Sequence, residues 1–226
     1  MMKALLTLLF LASALGPMAQ AVAQVAPSPQ EVAHYQGLHL AAHRGDVAQI
    51  QALLRSKADV NATDAYGRTP LHVATFARQR EAIKALAQGG ADLNRLESDR
   101  YDAVTIAAVA DDEDSLRVLL ALGASARQTT SRYDGTALIA AAHLGNDGVV
   151  RQLIAAGAPL DHVNNLHWTA VIESIVLGDG GPRHQRTLQA LVDAGASLKL
   201  TDRSGVTPLA LAKSRGYTAM VQMLGR

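Results

Sequence analysis

The chain has 226 residues, of which 49% are apolar and 18% are charged, and this balance is typical of a folded globular protein and argues against a wholly disordered chain. Lysine and arginine together number 21 and aspartate and glutamate 20, so the sequence lacks the basic excess of a nucleic-acid-binding protein, and no nucleic-acid partner is predicted. Cysteine is absent, which excludes disulfides and a lipid-modified N-terminal cysteine.

Residues 1–23 have the layout of a cleavable signal peptide. Lys3 precedes a 12-residue apolar run from Ala4 to Leu15, and the small residues Ala21 and Ala23 follow a Gly-Pro breaker. The run is shorter than the roughly 20 residues that a membrane-spanning helix needs. We therefore predict cleavage after Ala23, no membrane span in the mature chain, and a periplasmic location. The alternatives are secretion and anchoring by an uncleaved signal.

Residues 24–33 contain Pro27 and Pro29 and show no hydrophobic periodicity. The sequence therefore predicts a flexible leader here, followed by one repeat domain over residues 34–226.

From residue 34 onward the sequence repeats itself with a period close to 33 residues, the signature of a solenoid. An anchor position recurs at spacings of 33, 33, 34, 33 and 38 residues, in the order Gln36, Thr69, Asp102, Thr136, Thr169 and Thr207. An apolar residue lies fourteen residues after the anchor in five units and nineteen residues after it in the fifth, and a small-residue turn containing Gly closes most units. The predicted units span approximately residues 34–63, 64–97, 98–130, 131–163, 164–201 and 202–226.

Each unit has the sequence of two short helices. Thr69 can cap a helix with its hydroxyl, and Pro70 suits the first helical position because its missing N–H has no partner there. Leu71 and Ile83 lie on apolar stripes of the first and second helix, and Gly90 can end the second helix in the left-handed conformation. One such pair cannot bury its apolar face alone, so the units are predicted to stack into a continuous core.

The motifs GRTPLHVA at 67–74, GVTPLALA at 205–212 and LAAHRGD at 40–46 resemble the ankyrin repeat, and the resemblance covers residues 36–226. It implies an all-α solenoid of six helix-turn-helix repeats with β-hairpin turns, acting as a monomer. In that family the histidine equivalent to His72 joins a hydrogen-bond network between repeats. The resemblance therefore favours a structural role for His72 over a catalytic one.

Other chemistry has little support in the sequence. The eight histidines form no zinc motif, and neither a catalytic triad nor a paired-carboxylate frame is recognisable. The acidic run at 111–114 is predicted to cap a helix, with a calcium or cationic-partner role as the alternative. The Gly-rich stretch at 178–185 lacks the phosphate-loop pattern and is interpreted as a five-residue insertion that lengthens the turn between two helices. No cofactor, metal site or catalytic residue is predicted.

The resemblance places partner contacts on the projecting turns and on the exposed side of each first helix. Carried over by register, the candidate contacts are Tyr66, Arg68, Phe76, Tyr101, Arg132, Tyr133, His143, Leu166, Trp168 and Arg203. Four of these are aromatic residues in consecutive turns, spaced by 35, 32 and 35 residues, and Tyr, Trp and Arg dominate interface hot spots. The alternative is that the rings only pack one turn against the next.

The sequence thus predicts a non-enzymatic protein-protein interaction module of the periplasm. Bacterial periplasmic proteins that it resembles suggest a role in supporting or protecting an envelope protein or in defence against peroxide. One alternative is an inhibitor or immunity protein that blocks a cell-wall hydrolase or a toxin. A second alternative, from a different class, is an enzyme or metal-binding protein.

Overall fold

The computed structural model describes residues 24–225. The predicted signal peptide therefore lies outside the described residues. A short helix, α1, precedes six helix pairs, and one small two-stranded ribbon lies between the third and fourth pair. The elements are α1 (Pro29–His34), α2 (Gly37–Arg44), α3 (Val47–Arg55), α4 (Pro70–Phe76), α5 (Arg80–Gln88), α6 (Ala103–Val109), α7 (Glu113–Ala121), β1 (Thr129–Thr130), β2 (Gly135–Thr136), α8 (Ala137–Leu144), α9 (Asp147–Ala155), α10 (Ala170–Val176), α11 (Pro182–Asp193), α12 (Pro208–Ser214) and α13 (Thr218–Leu224).

The helix pairs stack in sequence order and form two layers. The first helices α2, α4, α6, α8, α10 and α12 each contact the next member of the row, and the second helices α3, α5, α7, α9, α11 and α13 do the same. The predicted all-α solenoid of six units is confirmed. The strands β1 and β2 pair antiparallel, with Thr129 opposite Thr136 and Thr130 opposite Gly135.

The core between the two layers combines large aliphatic side chains with alanine. Ile83 and Leu138 are fully buried, as are Ala74, Ala107 and Ala141 on three successive first helices. Alanine leaves room for neighbouring helices to approach closely, which explains why the protein needs few aromatic residues in its interior.

The threonine at the start of a unit caps its first helix, as the sequence predicts. The side chain of Thr69 accepts a hydrogen bond from the backbone N–H of His72, and Pro70 occupies the first helical turn. Thr136 and Thr169 cap α8 and α10 in the same way. These caps satisfy backbone donors that have no partner within the helix.

His72 is buried and joins its own helix to the next turn. Its Nδ1 accepts a hydrogen bond of 3.0 Å from the backbone N–H of Thr69, and its Nε2 donates one of 2.9 Å to the carbonyl of Arg95. Burial lowers the pKa of His72 to about 4, so the ring is neutral at neutral pH. The structural role implied for this histidine agrees with its contacts.

The prediction of a leader without regular structure is wrong for Pro29–His34. Ser28 and Glu31 form a capping box in which each side chain accepts a hydrogen bond from the backbone N–H of the other, a local signal present in the sequence. Glu31 also forms an ion pair with Arg68 of the first projecting turn. Helix α1 is therefore attached to the end of the solenoid.

The insertion in the fifth unit lies only partly in the turn between its helices. The turn spans residues 177–181, against 77–79 in the second unit, and α11 has 12 residues where α5 has 9. Two of the five extra residues therefore lengthen the turn and three extend the helix. Pro182 suits the first turn of a helix, which explains why α11 begins early.

No helix within residues 24–225 is long and apolar enough to cross a membrane.

Candidate partner-binding surface

The turns that connect successive units project from one end of the first helices. Four of the five turns are closed by an acidic or amide side chain that accepts hydrogen bonds from the backbone two and four residues later, whereas in the turn at 130–135 the hydroxyl of Ser131 accepts from Tyr133. Asp64 accepts from the N–H groups of Tyr66 and Arg68, both at 2.9 Å, and Asn164 does the same for its own turn. These side chains satisfy backbone donors locally and fix the shape of the turn.

Successive turns are joined into a continuous row, which we call the hairpin row (residues 64–68, 97–101, 130–135, 164–168 and 202–206). The backbone N–H of Ser98 donates to the carbonyl of Tyr66 at 3.0 Å, and that of Asn165 donates to the carbonyl of Tyr133 at 2.9 Å. Ser131 makes the equivalent bond to the turn before it. The turns therefore act as one surface.

The four aromatic residues of the hairpin row differ in accessibility. Tyr66 is 52% exposed and packs against the Arg68 guanidinium, whose carbon lies 4.6 Å from the ring centroid. Tyr101, Tyr133 and Trp168 are half-buried. All four rings thus keep some surface available. Their role as partner contacts stays a prediction, and so does the alternative of packing between turns.

Arg68 is not available to a partner, contrary to its prediction as a contact residue. It is only 2% exposed, it donates from Nε to Asp64 at 2.7 Å, and it pairs with Glu31. Asp64 also accepts a hydrogen bond of 2.8 Å from the hydroxyl of Tyr35. Burying an arginine to this extent requires paired charges. The sequence analysis missed the burial of Arg68 because the leader was not expected to supply Glu31.

The other predicted arginines remain exposed but already bind within the hairpin row. Arg132 lies 3.4 Å from Asp99 of the preceding turn, and Arg203 donates to the carbonyl of Asn165 at 2.8 Å. Exposed pairs of this kind contribute little to stability. Both arginines can therefore exchange their present contacts for contacts with a partner.

The C-terminal ends of the first helices form a second part of the surface, which we call the apolar stripe (Phe76, Val109, Leu144, Val176 and Leu177). Leu144 and Leu177 are 42% and 43% exposed, and Leu166 in the hairpin row is 38% exposed. Phe76, Val109 and Val176 are half-buried. These positions lie seven or eight residues after the anchor of their units, and the first helices stack side by side, so the stripe runs along the ends of this row of helices.

A buried carboxyl lies on α10, one of the helices that carry the apolar stripe. Glu173 of α10 is 4% exposed, and its Oε1 accepts a hydrogen bond of 3.0 Å from the side-chain amide of Asn164. Its Oε2 is buried without a hydrogen-bond partner and lies 3.6 Å from Nδ1 of His143, a predicted contact residue. Burial raises the pKa of Glu173 to about 7 and, together with the nearby His184, lowers the pKa of His143.

The sequence analysis did not identify Glu173. The signal for it is nevertheless present, because the equivalent positions four residues after the anchor are apolar in the second and third units: Val73 and Ile106, both fully buried.

A family model for ankyrin repeats matches residues 9–97, 38–130 and 104–202 of the chain. The chain belongs to the ankyrin repeat family. The predicted family and fold are therefore confirmed, and the hairpin row and first helices are the turn and helix surfaces of an ankyrin solenoid.

Several relatives agree with this assignment. The ankyrin repeat protein YahD of Escherichia coli is 41% identical over 81 residues, which is 35% of this chain and 40% of YahD. An ankyrin repeat domain from Acinetobacter baumannii superposes with a TM-score of 0.78 at 41% identity, covering 83% of this chain and 95% of that one. A chain of the complex between the predatory endopeptidase Bd0816 of Bdellovibrio bacteriovorus and the immunity protein Bd3460 superposes with a TM-score of 0.70 at 25% identity, covering 84% and 97%.

The ankyrin scaffold of residues 24–225 brings together no group of three or more His, Asp or Glu side chains that could hold a metal ion. The acidic run at 111–114 makes protein contacts instead. Asp112 caps α7 through the backbone N–H of Ser115 at 3.1 Å, and Asp111 accepts from Arg183 at 2.6 Å. The capping role predicted for this run is observed at Asp112.

Proposed function

We propose that this ankyrin repeat protein is a non-enzymatic module that holds a folded protein partner against the hairpin row and the apolar stripe. The observation that carries the proposal is the apolar stripe itself, because Leu144 and Leu177 are more than 40% exposed on adjacent units. Exposed apolar side chains that adjoin one another along a surface are characteristic of interaction sites. Ankyrin repeats bind protein partners in general, which supports the same surface.

The proposed setting is the bacterial periplasm, where the chain acts as a monomer that supports or protects an envelope protein. The support for this setting is the signal-like sequence of residues 1–23 and the absence of cysteine. Fractionation of cells that express the full chain, with N-terminal sequencing of the mature protein, tests it. Recovery of the chain in the cytoplasm with its first residues intact would count against it.

A second candidate function is inhibition of an exported hydrolase, in the manner of an immunity protein. The observation in its favour is the likeness to a chain of the Bd0816–Bd3460 complex over 84% of this chain. An inhibitor of this kind occludes the active site of its target. Titration of the mature protein into a purified cell-wall endopeptidase, co-encoded with it, should then abolish activity at one equivalent.

The central experiment compares two matched double variants in a pull-down from periplasmic extract. Leu144→Asp with Leu177→Asp places two charges in the apolar stripe. Gln51→Asp with Gln88→Asp places two charges on the exposed side of the second helices. Each lost leucine contact should weaken partner binding by about tenfold or more.

The expected result is a partner that is recovered with the wild type and the second-helix variant but not with the stripe variant. Circular dichroism establishes that both variants remain helical. Equal recovery with both variants would reject the apolar stripe as the binding surface.

A further inference from the structure

The geometry points to Glu173 as an anchor for a cation, and we propose that the protein partner inserts a lysine or arginine side chain between Leu144 and Leu177 to reach its carboxylate. This inference rests on the proposed function and specifies the chemistry of the partner at that site.

Glu173 has one unsatisfied carboxylate oxygen. Oε2 is buried without a hydrogen bond, although burying an acceptor without a donor costs free energy. Shielded carboxylates elsewhere in the described chain are met by donors: Asp64 lies 2.7 Å from Arg68 and Asp147 lies 3.0 Å from Arg186, while the buried Asp102 accepts two hydrogen bonds from Thr105. Glu173 has only the amide of Asn164, which binds Oε1, so Oε2 is open to a donor that a partner could supply.

A partner would reach Oε2 of Glu173 from the surface past the side chain of His143. The imidazole of His143 lies beside Oε2, but the distance from its Nδ1 to Oε2 is 3.6 Å, longer than a normal hydrogen bond. The side chain of His143 is 32% exposed. The imidazole of His143 forms no hydrogen bond within the described chain. Rotation of this ring away from Glu173 therefore breaks no hydrogen bond.

Two exposed leucines neighbour the residues of this site in the sequence. Leu144 follows His143 directly in the sequence, and Leu177, the residue that caps the end of α10, comes four residues or about one helical turn after Glu173; both leucines are more than 40% exposed. Lysine and arginine pack their aliphatic stems on apolar surface while the charged head reaches a polar group. A leucine rim around a buried carboxylate fits this kind of side chain and does not favour a small hydrated cation.

The groups that face Glu173 come from three elements. His143 approaches from α8, His184 of α11 lies behind it and donates from Nε2 to the carbonyl of His143 at 2.9 Å, and Asn164 approaches from the hairpin row. The neighbouring α12 carries Lys213, which is exposed and forms no ion pair with Glu173 in the part of the chain described here. The Nδ1 atom of His184 also contacts the carboxylate of Asp179 at 2.8 Å. Within the described residues no lysine or arginine pairs with Glu173.

The affinity of Glu173 for a cation should rise with pH. Because burial raises the pKa of Glu173 to about 7, a cation that binds the carboxylate expels the proton and binds more tightly as the pH rises through this value. At one pH unit below it, binding should be about tenfold weaker. A wholly apolar occupant would favour the protonated carboxyl and show the opposite trend.

The test uses the whole mature protein and small probes that carry the end groups of these side chains. The probes n-butylammonium and n-butylguanidinium represent lysine and arginine, and n-butanol is the uncharged control. Nuclear magnetic resonance follows the side-chain carboxyl of Glu173 and the ring of His143. We expect the two cations to shift both signals and lower the apparent pKa of Glu173, and we expect n-butanol to do neither.

Two variants complete the design. Glu173→Gln keeps the size of the side chain but removes its charge, and it should abolish the response to both cations. Glu81→Gln changes a side chain that is 71% exposed on α5 and should leave the response intact. The inference is overturned if n-butanol acts like the cations, if neither cation binds, or if Glu173→Gln binds them unchanged. Failure here, with the stripe variant still losing its partner, would reject the cation anchor and leave the proposed function standing.

Discussion

Replacement of Glu173 by Gln should change how the stability of the protein depends on pH. The carboxyl ionises at about pH 7 in the folded protein, against a reference value of 4.5, because it is buried. Between these two values the folded state holds a proton that the unfolded state has released. The free energy of unfolding must therefore fall as the pH rises from about 4.5 to about 7.

The size of this effect follows from the same two values. The interval between them corresponds to a loss of roughly 3 kcal/mol at neutral pH, and the 4% exposure of Glu173 leaves little solvent to screen it. Glutamine has the same shape and no ionisation, so Glu173→Gln should lack this loss. The variant should be the more stable protein at pH 7 and should have no such advantage at pH 4.5.

Urea unfolding followed by circular dichroism, repeated across this pH range, measures the difference. The quantity to compare is the wild-type free energy of unfolding minus that of the variant, because the titration of other groups largely cancels in it. Glu81→Gln, which alters an exposed carboxylate on α5, controls for the loss of one negative charge. A difference for Glu173→Gln that stays constant between pH 4.5 and 7 would refute the assignment of a raised pKa to this residue.

Three further changes test the supports of the fold. Arg68→Ala leaves Asp64 and Glu31 without their cation, so it should destabilise the protein by about 3 kcal/mol and expose α1 to proteolysis, as measured by thermal unfolding and limited digestion. His72→Ala removes the buried hydrogen bonds at 3.0 and 2.9 Å and should lower the free energy of unfolding in urea by about 2 kcal/mol. In the wild type, NMR should show a neutral His72 ring at pH 6, because burial lowers its pKa to about 4. Thr69→Ala removes one helix cap and should cost about 1 kcal/mol; a change as large as that of His72→Ala would mean that Thr69 does more than cap α4.

The sequence predicts the repeating part of the structure because the same local signals recur in register. Thr69 and its counterparts mark where each first helix begins, and the apolar positions that follow are buried together. Each unit needs only its neighbours to complete its core, so a local pattern is enough to define the global arrangement. The repeating fold therefore follows from the regular spacing of these helix-start and apolar signals along the chain.

The sequence does not predict which polar side chains the fold buries. Arg68 and Arg132 occupy similar turns, yet Arg68 is 2% exposed and the Arg132 side chain is 52% exposed. The difference comes from Glu31 and Tyr35, which lie outside the repeating pattern and reach this turn through Arg68 and Asp64. Accessibility of a contact residue depends on such non-repeating neighbours, and periodicity carries no information about them.

The fifth unit combines a destabilising residue with several long-range hydrogen bonds. Arg183, which the insertion brings to the start of α11, reaches Asp111 two units away at 2.6 Å, and His184 donates to the carbonyl of His143 at 2.9 Å. Tyr217 of the sixth unit donates to the carbonyl of Gly178 at 2.9 Å. These bonds hold the third to sixth units together around the position where Glu173 replaces the Val and Ile of earlier units.

A buried carboxyl that costs roughly 3 kcal/mol at neutral pH is a poor choice for stability alone, since an aliphatic residue fits the same position in Val73 and Ile106. Strongly perturbed ionisable groups concentrate where proteins bind or react. Glu173 lies beside His143 and about one helical turn before the exposed Leu177, and His184 of the lengthened α11 binds the carbonyl of His143. The destabilising residue, the supports around it and the exposed apolar surface thus occupy the same part of the solenoid, which is the reason to seek the partner there before searching the hairpin row.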